Sequence, residues 1–250
     1  MFKEFVFVVF VFLLTPCFSQ NNSGVITYKK DVLKYLSDNK DFKKKEISNP
    51  EYYNNVLKID ENVKQLLENL EFNLIFNGDE SIFKVHNFLE IENNKYYGFA
   101  IGPDGSKVCY SNQINKQNIQ QIDAYGELFL VEYPITEWKL INETKQIGAY
   151  TCYKARTIKT VKGRKGIIKT LVEVWYTPEI AIPFGPLGYN GLPGLIIELV
   201  LGDFKYFVTK IELNPKNEVI VKKLTQGKKI TEEEFRKIGK KAMESLKKGF

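Results

Sequence analysis

Tight-turn signals recur along the chain and separate short apolar segments that lie too close together for helical crossovers. The Asn-Gly-Asp of residues 77–79 and the Pro-Asp-Gly of residues 103–105 are two such turns, because Asn and Gly accept positive φ and Pro presets φ. Strands joined this tightly must be antiparallel neighbours. A sheet of about ten strands accumulates twist and must curl or close. The sequence therefore predicts a mainly β fold (β-rich α+β), with a strongly curved antiparallel meander or half-barrel.

The segments predicted as strands are apolar or alternating in pattern and are bounded by Gly, Pro, Asn or Asp. They are residues 24–28, 72–76, 81–85, 96–101, 107–111, 117–124, 128–133, 150–160, 167–176, 195–201, 204–211 and 218–222. One helix is predicted after the first strand, because Asn49 is a preferred N-cap residue, Pro50 suits the first helical position, and apolar residues follow at helical spacing. A second helix is predicted near the end of the chain, since Thr231 and Glu234 have the spacing of a capping box.

The first residues have the three parts of a secretory signal. Lys3 gives a charged start, residues 5–14 are continuously apolar, and small residues end the segment at Ser19. The apolar run is shorter than the roughly 20 residues of a transmembrane helix. We therefore expect a signal peptide over residues 1–19 and a single β-rich domain over residues 20–250, without a transmembrane segment after cleavage.

Cleavage after Ser19 would export the protein to the periplasm or the cell exterior. A lipid anchor at Cys17 is the alternative, although Pro16 stands where lipoprotein signals have a small residue. The formal net charge is +6, and residues 222–250 alone carry ten Lys or Arg and four Glu. A basic tail of this kind binds nucleic acid or anionic lipid, or forms a solvated helix face. Export argues against a nucleic-acid partner.

Two cysteines, Cys109 and Cys152, remain after cleavage. In an oxidising compartment an even number of cysteines permits one disulfide. Two separate buried thiols are the alternative, because the sequence does not give the distance between the two Cα atoms.

Motifs of familiar enzyme classes are missing from the sequence. His86 is the single histidine, which excludes the paired histidines of an H-E-x-x-H zinc site, and no G-x-S-x-G, C-x-x-C or phosphate-binding glycine loop is present. We expect His86 to be a surface or edge residue. The sequence predicts no metal site and no cofactor, and it favours a non-enzymatic role while leaving catalysis open.

Two glutamates interrupt apolar strands and are the candidate catalytic residues. Glu173 and Glu198 would face each other if their strands pair, and one pKa would then be raised for acid–base chemistry. The alternative places each carboxylate on the solvated face of the sheet.

Aromatic residues are dense in the second half of the chain. In a curved sheet they either line an apolar ligand cavity or pack the core. The residues concerned are Trp138, Tyr150, Tyr153, Trp175 and Tyr176.

Glycine and proline are concentrated between residues 175 and 194, where they fix an irregular path between two apolar strands. Such a rigid loop is a structural corner or a binding surface. Its candidate residues are Trp175, Tyr176, Pro178, Gly185, Pro186, Gly191, Leu192, Pro193 and Gly194.

Residues 191–196 read Gly-Leu-Pro-Gly-Leu-Ile, and here the sequence resembles the GLPGLI family of exported proteins from Bacteroidetes-type bacteria. The Trp-Tyr-Thr-Pro-Glu-Ile of residues 175–180 and Trp138 fit the same resemblance, which is strong over about residues 138–199. Residues 181–183 depart from it, since proline more often follows the isoleucine directly. The resemblance implies an exported β-rich domain and supplies no activity, cofactor or catalytic residue.

Three functions are compatible with the sequence. The leading interpretation is a non-enzymatic binding or accessory module of the cell envelope, with an envelope protein as its partner. The first alternative is a carrier that holds lipid or another apolar small molecule in a cavity of the curved sheet. The second is a carboxylate-based hydrolase that uses Glu173 and Glu198.

Overall fold

The computed structural model describes residues 23–86, 92–163 and 166–248. The predicted signal peptide and the anchor alternative at Cys17 lie outside the described residues. Residues 164–165, between the predicted strands 150–160 and 167–176, also lie outside them.

Twelve strands of the described part of the chain form one open sheet, so the predicted strand-rich fold with a few helices is confirmed. The strands are β1 (Ser23–Val32), β2 (Glu71–Asn77), β3 (Glu80–Val85), β4 (Val108–Asn112), β5 (Gln117–Ala124), β6 (Glu127–Glu132), β7 (Lys139–Ile147), β8 (Tyr150–Gly163), β9 (Gly166–Thr177), β10 (Leu195–Leu201), β11 (Phe204–Leu213) and β12 (Lys228–Thr231). Their order is β12-β6-β5-β4-β3-β2-β1-β11-β10-β9-β8-β7. Neighbours pair antiparallel except β12, which runs parallel to β6. The sheet therefore consists of two antiparallel meanders, β1 to β6 and β7 to β11, joined where β1 pairs with β11.

The helices that lie wholly within the described residues fall in three regions of the chain. They are α1 (Lys40–Lys43), α2 (Lys45–Ser48), α3 (Pro50–Asn69), α4 (Tyr97–Gly105) and α5 (Glu232–Lys248), with 3₁₀ turns at Leu36–Asp38 and Pro186–Gly188. The α3 helix begins as predicted, with the Asn49 side chain accepting a hydrogen bond from the Tyr52 N–H and Pro50 in the first turn. It buries Val63 and Leu67 against the sheet. The capping box at the start of α5 is also confirmed by reciprocal bonds between Thr231 and Glu234.

The core is packed with aromatic side chains from the centre of the sheet. Phe72 stacks on Phe83 with ring centroids 5.8 Å apart, and Tyr206 meets Phe72 edge-on at 5.3 Å. The Tyr28 hydroxyl donates a 2.6 Å hydrogen bond to the Ile196 carbonyl, which satisfies a polar group that is fully buried. A smaller cluster of Ile122, Phe129 and Val131 lies under Phe235 and Ile238 of α5. The C-terminal helix is thus attached through its own small core.

Residues 96–101 form a helix instead of the predicted strand. The helix α4 is kinked at Gly102, where φ is +66°. A short apolar run does not distinguish strand from helix, and here Ala100 and Ile101 pack into the core from a helical backbone. The Pro-Asp-Gly of residues 103–105 ends this helix and does not connect a hairpin.

Two further differences lie at the edges of the sheet. Residues 218–222 are not a strand; the chain passes outside the sheet there and the last strand is β12. The edge strand β7 was not predicted, because it is polar and mostly exposed and therefore lacks an apolar alternation.

The loop between β9 and β10 is mostly buried. Gly194 packs so tightly that an added Cβ would lie 2.0 Å from the Thr177 carbonyl oxygen. Leu192 is buried, and Phe184 forms a bridge with Asn190. Most of the predicted motif residues are therefore inside the protein, while Pro178, Gly191 and Pro193 are exposed. This location fits the structural-corner interpretation of the loop.

The two motif glycines allow a matched test of this packing. We expect Gly194→Ala to destabilise the fold by more than about 3 kcal/mol, because the new methyl group would overlap backbone atoms of Thr177 and Pro178. At Gly191 the space is open but φ is +88°, so Gly191→Ala should cost only about 1–2 kcal/mol of backbone strain. Urea unfolding of both variants measures the difference. Equal losses would contradict the packing described.

Candidate functional site

The strands of the two candidate glutamates pair, but the carboxylates are not directly opposite. Glu198 lies opposite Trp175, and Glu173 lies opposite Val200. Glu198 forms an ion pair with Lys145, and Glu173 with Arg156 at 2.7 Å and Lys154 at 3.2 Å. Each carboxylate therefore has a cationic partner.

The charge of Glu173 is stabilised by its neighbours. Partial burial opposes ionisation, but hydrogen bonds and charges from Arg156 and Lys154 outweigh it and hold the pKa of the carboxyl below its ordinary value. A general acid at neutral pH needs a raised pKa. The catalytic role of Glu173 and Glu198 remains a prediction. The ion pairs of Glu173 do not provide the raised pKa that this role would need.

Trp175 lies between these ion pairs. The ammonium groups of Lys145 and Lys154 lie 4.5 Å and 5.2 Å from its ring centroid. Tyr176 is buried, Trp138 and Tyr150 pack against the core, and Tyr153 is 40% exposed. The core-packing alternative therefore describes most of these aromatic residues.

Cys109 and Cys152 are both free and buried, so the disulfide that the sequence permits is not formed. Cys109 lies on β4 and Cys152 on β8, and these strands are seven positions apart in the order of the sheet. Burial raises the pKa of Cys109 to about 12 and that of Cys152 to about 11. Both groups stay protonated near neutral pH and are weak nucleophiles.

Thiol titration of a chain that begins at Gln20, and so lacks Cys17, tests whether both thiols are free. We expect no reaction of the native protein with a disulfide reagent on the minute timescale at pH 8, because neither thiol is accessible as thiolate. Unfolding in denaturant without reductant should release two reactive thiols per chain. Fewer than two would show that a disulfide forms.

The single histidine is exposed and lies beside β2. Its ring Nδ1 is 2.9 Å from the Asn73 side-chain nitrogen. This position agrees with the expected edge residue.

A cleft of about 710 Å³ lies on the inner side of the curled sheet. Its walls come from β5, β8, residues 133–137, residues 187–189 and the first turns of α5. In a flat sheet β5 and β8, eight strands apart in the order, would be separated by about 38 Å. They line one cleft only because the sheet curls. The predicted curvature therefore creates the site.

One wall of the cleft is the 3₁₀ turn that follows Gly185. Leu187 and Gly188 both have positive φ, at 59° and 78°. Gly188 approaches β5 so closely that a Cβ would lie 3.0 Å from the Asn118 Oδ1. The glycine- and proline-rich loop thus supplies part of the site although most of its motif residues are buried.

Three side-chain amides on β5, those of Gln117, Asn118 and Gln120, have buried oxygens without a hydrogen-bond partner among the described residues. Asn118 is 4% exposed, and Gln120 follows it on the same face of the strand. The side chains of Asn118 and Gln120 line the cleft, whereas Gln117 does not. Leaving such a group unpaired costs about 1–3 kcal/mol. Unpaired amide oxygens beside a cleft can accept hydrogen bonds from a ligand or from water that enters it.

The fixed charges around the cleft are balanced. Asp104 binds Lys107 at 2.7 Å and Lys159 at 2.9 Å, and Glu232 binds Arg236 at 2.7 Å. Burial opposes the ionisation of Asp104, but the two lysines outweigh it and keep the pKa of its carboxyl below the ordinary value. The cleft therefore has charged groups whose cations are already paired, next to apolar residues such as Ile135, Ile158 and Leu187.

A buried lysine holds the kinked segment of α4 that precedes Asp104. The Lys30 ammonium donates to the carbonyls of Ala100 and Ile101, at 2.8 Å and 3.0 Å, where the α4 helix kinks. It also lies 4.1 Å from the Phe204 ring centroid. Burial lowers the pKa of Lys30 to about 8, although the negative charge of Asp104 opposes this.

Lys30 should give the protein a distinctive pH dependence of stability. Its folded-state pKa is lower than the ordinary 10.5, so the unfolded chain binds more protons between about pH 8 and 10.5 and stability rises with pH there. We expect Lys30→Met to remove about 3 kcal/mol of this rise, measured by denaturant unfolding at pH 7.5 and 10.5. Lys29→Met, on the adjacent position of β1, is the control. Identical pH profiles for wild type and Lys30→Met would contradict the assignment.

Sequence reasoning did not identify the cleft residues. Residues 117–124 were predicted correctly as a strand, but Asn118 and Gln120 carry no motif. The available signal was the pattern itself, since amides occupy both faces of this strand. No group of His, Cys, Asp and Glu suited to a metal ion occurs within the described residues. None of the described helices is long and apolar enough to span a membrane.

Comparison with known proteins gives a family match over part of the chain. A family model described as "Protein of unknown function (Porph_ging)" matches residues 138–170 and 165–198. This stretch nearly coincides with the region of the expected resemblance, but the name GLPGLI is not confirmed. No curated protein matches the sequence.

Two solved structures are distant neighbours of the fold. "Structure of PNGF-II in C2 space group" is 16% identical with a TM-score of 0.47, and covers 86% of this chain and 32% of its own. "Structure of PNGF-II in P21 space group" is 16% identical with a TM-score of 0.48, and covers 87% and 33%. This chain thus spans about one third of the length of those chains, and a likeness at this level carries no functional information.

Proposed function

We propose that this protein is an exported, non-enzymatic binding module that holds a small polar ligand in the cleft between β5 and β8. The observation that carries the proposal is the pair of unpaired amide oxygens, those of Asn118 and Gln120, on the wall of this cleft. A ligand that hydrogen-bonds to these oxygens would remove the cost of leaving them unpaired. The cleft volume is also within the range of small-molecule sites, about 300–1,000 Å³.

The character of the cleft favours this function over the apolar carrier. Asp104, Lys107, Lys159 and Arg236 lie on its wall, whereas an apolar ligand would need a dry, hydrophobic lining. A second void, beside Lys30, has a volume of only about 30 Å³. The large aromatic side chains of the inner sheet fill the core and leave the cleft at its margin.

Export is part of the proposal and rests on the signal-like pattern of residues 1–19. The mature protein would begin at Gln20 and act in the periplasm or outside the cell. An envelope protein that delivers or receives the ligand would then be a natural partner.

Native mass spectrometry of the protein purified from its own envelope fraction tests the proposal. We expect a chain beginning at Gln20 that carries a non-covalent polar molecule released on denaturation. Gln120→Met should lose most of this mass, because it removes the amide and keeps the side-chain shape. Gln117→Met is the matched control, since Gln117 also has a buried unpaired oxygen but lies on the opposite face of β5, away from the cleft.

The other outcomes separate the remaining interpretations. A released lipid would favour the apolar carrier, and a co-purified protein without a small molecule would favour the accessory module. A protein in the cytosol with residues 1–19 intact would overturn export. Equal ligand loss in Gln120→Met and Gln117→Met would show that the cleft is not the binding site.

A further inference from the structure

We propose that the ligand of the cleft is a neutral saccharide, an inference that rests on the proposed binding function. The first support is the hydrogen-bonding capacity of the wall. The amides of Asn118 and Gln120 each offer donors and acceptors, and Tyr133 and Tyr189, whose phenols can also donate and accept, lie on the same wall. Groups that both donate and accept are complementary to sugar hydroxyls, which do the same.

The second support is electrostatic. The cleft has three acidic and three basic side chains on its wall, and each basic group is already ion-paired within the wall. A phosphate or carboxylate ligand would need to break these pairs to gain a cation. Burial raises the pKa of Tyr133 and of Tyr189, so both phenols remain neutral donors over the physiological range. A ligand without charge suits this wall.

The third support is the presence of apolar surfaces next to the polar groups. Phe235 packs edge-on against Phe129, with centroids 5.5 Å apart, and so holds a fixed orientation at the cleft. Tyr189 contacts Trp138 at 5.8 Å and is likewise fixed. Rigid aromatic rings beside hydrogen-bonding groups accommodate a ligand with an apolar C–H face and polar edges. A pyranose ring has both.

A peptide ligand fits less well. Extended peptides commonly bind by adding a strand to a free sheet edge. The floor of this cleft is a face of β5, whose backbone is paired with β4 on one side and β6 on the other. The cleft therefore offers side chains and not an unpaired backbone edge.

Saturation-transfer NMR on the mature protein provides the test, with melting temperature as a second readout. The panel contains glucose, galactose, mannose, N-acetylglucosamine, lactose and maltose, the charged counterparts glucuronate, glucosamine and glucose 6-phosphate, and glycylglycine and adenosine as non-sugar compounds. We expect at least one neutral sugar to bind and its charged counterparts to bind about tenfold more weakly or not at all.

Three variants assign the binding to the cleft. Gln120→Met and Tyr189→Phe should each weaken the neutral sugar about tenfold, and Gln117→Met should leave its affinity unchanged. Folding of every variant is confirmed from its amide NMR spectrum.

Each failure has a distinct meaning. If glycylglycine, adenosine or a charged sugar binds and is lost in Gln120→Met while neutral sugars do not bind, the binding function stands and the saccharide assignment is overturned. If a neutral sugar binds equally well to all variants, its site lies elsewhere and the assignment is overturned as well. If no compound of the panel binds and the protein from the envelope fraction carries no small molecule, both proposals are overturned.

Discussion

A sheet of twelve strands cannot stay flat, because each strand is rotated relative to its neighbour and the rotation accumulates. Here the curl is filled by aromatic side chains such as Tyr28, Phe72 and Tyr206, all almost fully buried. The curl brings β5 and β8 to the same cleft although eight steps of the sheet separate them. The mostly buried loop before β10 and the helix α5 then close its sides. The site thus depends on the curvature of the whole sheet and not on one local motif.

The turn chemistry explains how much of this fold was predictable. β5 and β10 were predicted to the residue, since Gly194 and Gly202 flank β10, the turn at Tyr125 and Gly126 follows β5, and their patterns are typical of strands. The strand predicted over residues 96–101 was wrong, because a short apolar run fits a helix such as α4 as well as a strand. β7 escaped notice because an exposed edge strand needs no apolar face. Local sequence determined the elements well wherever a turn signal and an apolar pattern agreed.

The candidate site was much less predictable than the fold. Asn118 and Gln120 become informative only through their burial and missing partners, and both are tertiary properties. The same holds for Lys30, whose partners Ala100 and Ile101 are about seventy positions away in the sequence. The conspicuous residues misled in the opposite direction, since the motif Gly194 packs against backbone and Glu173 binds Arg156. The segment rich in glycine and proline proved to be a mostly buried loop, and the cleft lies beside it.

The two edges of the open sheet have a consequence for the protein at high concentration. β7 carries Lys139, Glu143 and Lys145, and β12 begins with Lys228 and Lys229. An unpaired strand edge is a template for another chain, and closely spaced charges make such pairing unfavourable. An unclosed sheet of this size can therefore remain dispersed in a crowded compartment, and its polar edge residues protect it from fibrillar self-association.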